Sequence, residues 1–134
     1  MDPVEEIEAP DCATFERDIR PRYAPVVMRG LVKDWPLVEA GRRSPEEALA
    51  LIESLDTGEA TDIMLAPPGE KGRFFYTPEM RGFNFQRQRA SLTQLARELR
   101  RIEREDLPLG MYAGATPAAS HLPGFEIANP FPLA

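Results

Sequence analysis

Apolar and polar positions follow two different periods along this chain of 134 residues, and each period predicts a different element. A continuous apolar run opened by Pro25 predicts a buried strand over residues 25–29, which Gly30 ends because glycine adopts turn conformations readily. The stretch from residue 25 to 38, which includes the only tryptophan, is expected to be the unit around which the chain is organised. Further strands or extended segments are predicted at residues 62–66, 73–77, 82–86 and 109–114.

Three helices are predicted from capping residues and from apolar residues that recur with helical spacing. Asp11 is expected to cap a short helix that runs through Ile19, and Pro21 ends it. Ser44 and Ser91 are each expected to cap a longer helix. The buried stripes of these two helices are Ala48, Leu51, Ile52 and Leu55, and Leu92, Leu95, Leu99 and Ile102. The chain has fourteen prolines, which fall between the periodic segments rather than inside them, and this favours an irregular, loop-rich α+β fold over a helical bundle.

The length of the chain allows one domain. Residues 1–10 are acidic and bounded by prolines, and they are expected to form a loose arm. The tail that begins at Leu122 carries apolar residues but no closing element. We therefore interpret residues 1–134 as the N-terminal part of one domain, with Phe131 and Leu133 leading into more protein.

Charge and cysteine content exclude several classes of protein. The net charge is −6. The chain has one modest basic stretch at residues 70–105, whereas a nucleic-acid binder carries a broad basic surface, so that class is not expected. The single cysteine, Cys12, excludes a disulfide framework and a cysteine metal cluster within these residues. Neither a signal peptide nor an apolar run of about 18 residues is present, so no membrane partner and a cytoplasmic location are expected.

Residues with catalytic potential are few. The 2-His-1-carboxylate iron site of non-haem oxygenases needs two histidines, and this sequence has only His121. His121 is expected to lie in a surface loop, and a nucleophilic pair with Cys12 is disfavoured because neither residue lies in a recognisable motif. The aromatic residues Phe74, Phe75, Tyr76, Phe83 and Phe85 are expected to pack in the core rather than to stack on nucleic-acid bases.

Several segments in a fixed order resemble the cupin-like JmjC family, in the asparaginyl-hydroxylase branch of the Fe(II)/2-oxoglutarate oxygenases. They are Pro-Val-Val-Met-Arg-Gly (25–30), Asp-Trp-Pro (34–36), Arg-Phe-Phe-Tyr (73–76), Asn-Phe (84–85), the helix at 92–102, Met-Tyr-Ala-Gly (111–114) and Leu-Pro-Gly-Phe (122–125). The resemblance covers the chain from about Phe15 onward.

The resemblance implies the N-terminal flank of a double-stranded β-helix fold, with the barrel itself largely missing. It implies that a complete relative uses Fe(II) and 2-oxoglutarate to hydroxylate a protein or a small molecule. The H-x-D…H iron ligands of such relatives lie beyond this region, so no catalytic residue, metal ligand or bound cofactor is expected for this chain alone. Tyr112 resembles a tyrosine that contacts 2-oxoglutarate in that branch.

Two functions from different classes follow. In the first, the chain is the N-terminal segment of a hydroxylase, inactive by itself, and its partner is the missing C-terminal barrel or a second copy of the chain. In the second, it is a non-catalytic interaction module that pairs with a partner through an exposed sheet edge.

Overall fold

The computed structural model describes residues 3–133. The chain forms two compact units, one made of the residues up to Ala48 together with those from Glu126 onward, and one made of Leu49–Phe125. Helices and strands are mixed, in agreement with the expected α+β class. Within the described residues, no helix has the length and apolar character needed to cross a bilayer.

The first unit contains two parallel strands, β1 (Glu5–Glu8) and β2 (Val26–Arg29). Strand β2 confirms that a strand forms within residues 25–29, but its residues are half-buried or exposed rather than buried as expected. Residues 5–8 lie within the segment expected to be a loose arm, and that expectation is wrong for them. Two of the glutamates that suggested a solvated arm form ion pairs instead, Glu5 with Arg22 and Glu6 with Arg29.

The predicted helix after Asp11 is confirmed, with an irregular geometry. Helix α1 (Cys12–Thr14) continues as a π-helical turn (Phe15–Ile19) and then a 3-10 turn (Arg20–Arg22). The Thr14 backbone N–H donates to the Asp11 carboxylate, 2.7 Å away, as a capping residue requires.

Helix α2 (Pro36–Arg43) begins directly after Trp35, where no helix was predicted. Its first residue is a proline, which suits the first helical position because that N–H has no partner inside the helix. The Leu37 N–H donates to the side-chain oxygen of Asn129 at 3.2 Å, and Asn129 is buried. The tail therefore packs within the first unit through a polar contact that the hydrophobic pattern does not indicate.

The second unit is built on a three-stranded antiparallel sheet. The strands are β3 (Thr61–Ala66), β4 (Gln86–Ala90) and β5 (Gly110–Ala113), in the spatial order β4-β3-β5. Ile63 at the centre of β3 is fully buried. Helix α4 (Leu92–Ile102) begins after the predicted cap Ser91, which forms a capping box with Gln94.

Helix α3 (Pro45–Leu55) begins where the sequence predicted, and part of it belongs to the second unit. The Arg100 guanidinium of α4 donates two hydrogen bonds to the Glu53 carboxylate of α3, at 2.8 and 2.7 Å. Two short helices were not predicted: α5 (Ala118–His121), in a segment expected to be a loop, and α6 (Phe125–Ala128), in the tail. A 3-10 turn (Pro68–Glu70) follows β3.

The conformation of the aromatic segment, residues 73–86, differs most from the two strands predicted there. Residues 73–77 do not form a regular strand, and a single bridge joins Tyr76 to Phe83. The strand that follows the aromatic segment and pairs with β3 is β4, which begins only at Gln86. Its sequence, Gln-Arg-Gln-Arg-Ala, lacks the apolar alternation by which a half-buried strand is recognised.

Candidate functional site

One face of the sheet carries the tyrosine that the sequence analysis singled out. In the antiparallel register Met64 of β3 lies opposite Tyr112 of β5 on one side and opposite Arg87 of β4 on the other. Directly opposed residues in antiparallel strands share a face, so these three side chains form one row across the sheet. The neighbouring residues Ile63 and Met111 face the other way, where they line a cavity together with Leu95 of α4.

Tyr112 is half exposed, and its ring is held from two sides. Phe74 lies 5.7 Å from it between ring centroids. A Cβ added at Gly114 would fall 2.5 Å from the Tyr112 Cε1 atom, so only glycine leaves room for this ring position. Among residues 3–133 the Tyr112 hydroxyl has no hydrogen-bond partner, which leaves an exposed donor on a supported ring.

A continuous row of aromatic rings leads away from Tyr112. Going outward the rings are Phe74, Phe85, Phe83, Tyr76 and Phe75, with successive centroid distances of 5.7, 5.7, 4.8, 5.2 and 5.6 Å. We call these six residues the aromatic row. Phe75, Tyr76 and Phe83 are 57%, 47% and 48% exposed. The expectation that the aromatic block forms core is therefore wrong for its outer members.

Arginine side chains accompany the aromatic row. The Arg87 guanidinium lies over the rings of Phe83 and Phe85, 5.4 and 5.9 Å from their centroids, within the range of cation–π attraction. Arg73 lines a groove of about 320 Å³ with Phe75 and Tyr76. Within the described part of the chain, none of the arginines of this region, which are Arg73, Arg81, Arg87 and Arg89, forms an ion pair with a carboxylate.

Asn84 fixes the shape of the aromatic segment, and the sequence analysis gave it no role. Its side-chain oxygen accepts a hydrogen bond from the Phe75 N–H at 2.7 Å. Its amide nitrogen donates to the Glu70 carboxylate at 2.6 Å and to the Arg73 carbonyl oxygen at 2.9 Å. Its position between two phenylalanines in the sequence could have indicated this role, since Asn side chains commonly form hydrogen bonds with backbone groups in turns.

His121 is buried, against the expectation of a surface loop, with 6% of its area exposed. Its Nδ1 atom lies 3.2 Å from the Pro117 carbonyl oxygen and 2.9 Å from the Ser120 hydroxyl. Its own carbonyl oxygen accepts a hydrogen bond from the Thr57 N–H at 3.0 Å. Its Nε2 atom is buried without a partner among the described residues. These contacts give His121 a structural role at the end of α5.

The residues present do not fit an iron site. Residues 3–133 contain no group of three or more histidine, cysteine, aspartate or glutamate side chains placed to hold a metal ion. The whole sequence has one histidine, whereas the facial triad needs two. The expected cosubstrate contact, Tyr112, thus lies on a sheet face that brings no iron ligands with it.

Comparison with known protein families supports the family resemblance drawn from the sequence motifs. The sequence model of the cupin-like domain matches residues 12–134, which confirms the family resemblance drawn from the ordered motifs. No curated protein and no solved structure matches the chain.

Proposed function

This chain belongs to the cupin-like domain family, and from that premise we propose that it is the N-terminal part of an Fe(II)/2-oxoglutarate-dependent hydroxylase. Its proposed role is to form one wall of the site and to offer Tyr112 to the cosubstrate. In such enzymes iron and 2-oxoglutarate together activate O₂ for hydroxylation of a C–H bond. The iron ligands would come from residues outside this sequence.

The free hydroxyl of Tyr112 is the observation that supports this proposal. A phenol O–H donates a hydrogen bond to a carboxylate, and 2-oxoglutarate carries two carboxylates. A side chain that serves only to fill a core is normally buried, whereas Tyr112 is 50% exposed. The Phe74 ring and the close approach of Gly114 restrict the ring, so little conformational freedom would be lost when the hydroxyl binds a ligand.

The first experiment is to read the coding DNA downstream of the Ala134 codon. An in-frame His-x-Asp followed by a later histidine supports the hydroxylase. An immediate stop codon contradicts it and favours the interaction module.

If the reading frame continues, the second experiment uses the full-length protein that it encodes. Tyr112→Phe removes one hydrogen bond to the cosubstrate, and we expect it to raise KM for 2-oxoglutarate by about tenfold. Tyr76→Phe is the matched control, because Tyr76 lies farther along the aromatic row. An equal effect of both substitutions, or none from Tyr112→Phe, would refute the assigned role.

The alternative function is a non-catalytic interaction module. The outer edges of β4 and β5 pair with no further strand among the described residues. An unpaired strand edge accepts a strand of another chain, so a partner or a second copy would extend this sheet. Backbone amide protection of β4 and β5 that rises with protein concentration would favour this alternative.

A further inference from the structure

We propose that Phe75, Tyr76 and Phe83, together with the guanidinium groups of Arg73 and Arg87, bind an acidic segment of another polypeptide that has apolar side chains between its carboxylates. We call these five residues the arginine–aromatic surface. The proposal that this surface binds such a segment does not depend on the hydroxylase proposal. The idea that the bound segment is the substrate rests on the proposed function. Phe74 connects this surface to Tyr112 through a continuous series of ring contacts.

The apolar component of this surface is exposed in an organised form. Phe75, Tyr76 and Met80 line the groove of about 320 Å³, and Met80 is 65% exposed. Asn84 ties Phe75 to its neighbours through backbone hydrogen bonds, so the rings are displayed on a supported turn. Large apolar side chains grouped in this way mark interaction sites more often than singly exposed ones.

The charged component selects an acidic partner. Elsewhere in the described part of the chain, carboxylates pair with Arg17, Arg20, Arg22, Arg29, Arg43, Arg100 and Arg101. Among the described residues Arg73 and Arg87 have no such partner, as is also true of Arg42, Arg81, Arg89, Arg97 and Arg104, although the chain as a whole is acidic. Between positions 70 and 90 four arginines outnumber the two acidic residues, although one of those, Glu70, lines the same groove and accepts a hydrogen bond from Asn84. Carboxylates from another molecule would therefore meet guanidinium groups whose charge is not already neutralised.

The ring geometry favours a polypeptide over a single-stranded nucleic acid. Tyr76 stacks on Phe83 and Phe83 stacks on Phe85, with interplanar angles of 30° and 28°. Stacking of a nucleic-acid base requires a free ring face, and here ring faces contact one another and the Arg87 guanidinium. Aliphatic side chains need only apolar area, which the exposed ring edges supply.

The test is fluorescence anisotropy with a short fluorescein-labelled peptide in which glutamate alternates with leucine. We expect saturable binding that weakens as salt is added, because part of the attraction is between exposed charges. The double variant Arg73→Gln, Arg87→Gln should raise Kd by at least about tenfold. Arg97→Gln is the matched control and should leave Kd unchanged, because Arg97 lies on α4 and lines the cavity on the opposite sheet face.

Three results would overturn the proposal. A peptide with lysine in place of glutamate that binds equally well would show that charge does not select the partner. A labelled oligouridylate that binds more tightly than the glutamate peptide would show that the surface accepts nucleic acid. Sedimentation that reveals self-association, abolished by the double variant, would show that a second copy occupies the surface.

The same assay separates this proposal from the hydroxylase proposal. Tyr112→Phe should leave the peptide Kd unchanged, because Tyr112 lies at the far end of the aromatic row. Intact peptide binding with no effect of Tyr112→Phe on 2-oxoglutarate would refute the cosubstrate role alone. Absence of peptide binding by a correctly folded chain, checked by far-ultraviolet circular dichroism, would refute the docking surface alone.

Discussion

The indole Nε1 of Trp35 donates a hydrogen bond to the carbonyl oxygen of Pro130, 2.8 Å away. The bond joins the residue before α2 to the tail of the chain, within the same unit. Trp35 is half-buried, so its ring covers apolar surface while its single polar atom is satisfied.

Removal of this hydrogen bond should destabilise the first unit. Trp35→Phe keeps an aromatic ring but loses the donor, and we expect the free energy of unfolding to fall by about 1 kcal/mol. Urea unfolding followed by circular dichroism measures the change. Tyr23→Phe is the control, because Tyr23 is 96% exposed and its substitution should cost almost nothing. Equal midpoints for both variants would show that the Trp35 bond contributes no net stability.

The sequence places the only tryptophan in the stretch expected to organise the chain, but it does not indicate which group accepts the hydrogen bond from the Trp35 N–H. Capping and helical spacing are local signals, so Asp11, Ser44 and Ser91 were placed correctly. The Pro130 carbonyl lies 95 positions away along the chain, and no local pattern encodes that contact.

Strand β4 and the exposed aromatic row were missed for a related physical reason. Aromatic residues usually mark buried strands, and a Gln-Arg repeat usually marks a loop or a solvated helix face. Here the polar segment pairs with β3, whereas Phe75 and Tyr76 stay at the surface. Of the candidate site, only Tyr112 was predicted from the sequence, whereas Asn84 and the arginines beside the aromatic row were not.

The Glu53–Arg100 pair should make stability depend on pH. The hydrogen bonds from Arg100 lower the pKa of Glu53, more than burial raises it. The contribution of this pair is therefore fully present above the ordinary glutamate pKa and is lost as pH falls through the lowered folded-state value. Glu53→Gln should lower the free energy of unfolding by about 1 kcal/mol at neutral pH and by progressively less as the pH falls through that lowered pKa.

Urea midpoints of the wild type and of Glu53→Gln across this pH range test the prediction. Arg101→Gln is the control. Arg101 pairs with Glu98 and Glu105 at an exposed position, so its substitution should lower the free energy of unfolding by less. A stability difference between wild type and Glu53→Gln that persists unchanged in acid would contradict the assignment.

Gly114 should control the position of the Tyr112 ring. Gly114→Ala would place a Cβ 2.5 Å from Cε1 of Tyr112, and the ring must rotate away to relieve the overlap. We expect the ring proton resonances of Tyr112 to shift in the nuclear magnetic resonance spectrum. Gly69→Ala should leave them in place, because no atom lies within 4 Å of the added Cβ there. Unchanged Tyr112 resonances in Gly114→Ala would mean that another conformation of the ring dominates in solution.

Iron should not bind to these residues with facial-triad geometry. One histidine cannot supply the two that the site needs, so the chelate band of iron and 2-oxoglutarate should not develop. Anaerobic addition of Fe(II) and 2-oxoglutarate, followed by visible absorption, tests this. A stoichiometric band from the 134-residue chain would overturn the prediction and would require ligands from more than one copy.

Strand β1 pairs with β2 along one side and is anchored by exposed ion pairs, including Glu6 with Arg29. Such a strand can open without unfolding the rest of its unit, because it buries little apolar surface. The amides of Glu5–Glu8 should therefore be among the earliest to exchange with deuterium. The hydrogen bonds from Arg29 lower the pKa of Glu6, so acid below that pKa removes the ion pair and frees the strand further. Limited proteolysis should therefore cleave the N-terminal segment first, while the three-stranded sheet of the other unit remains protected.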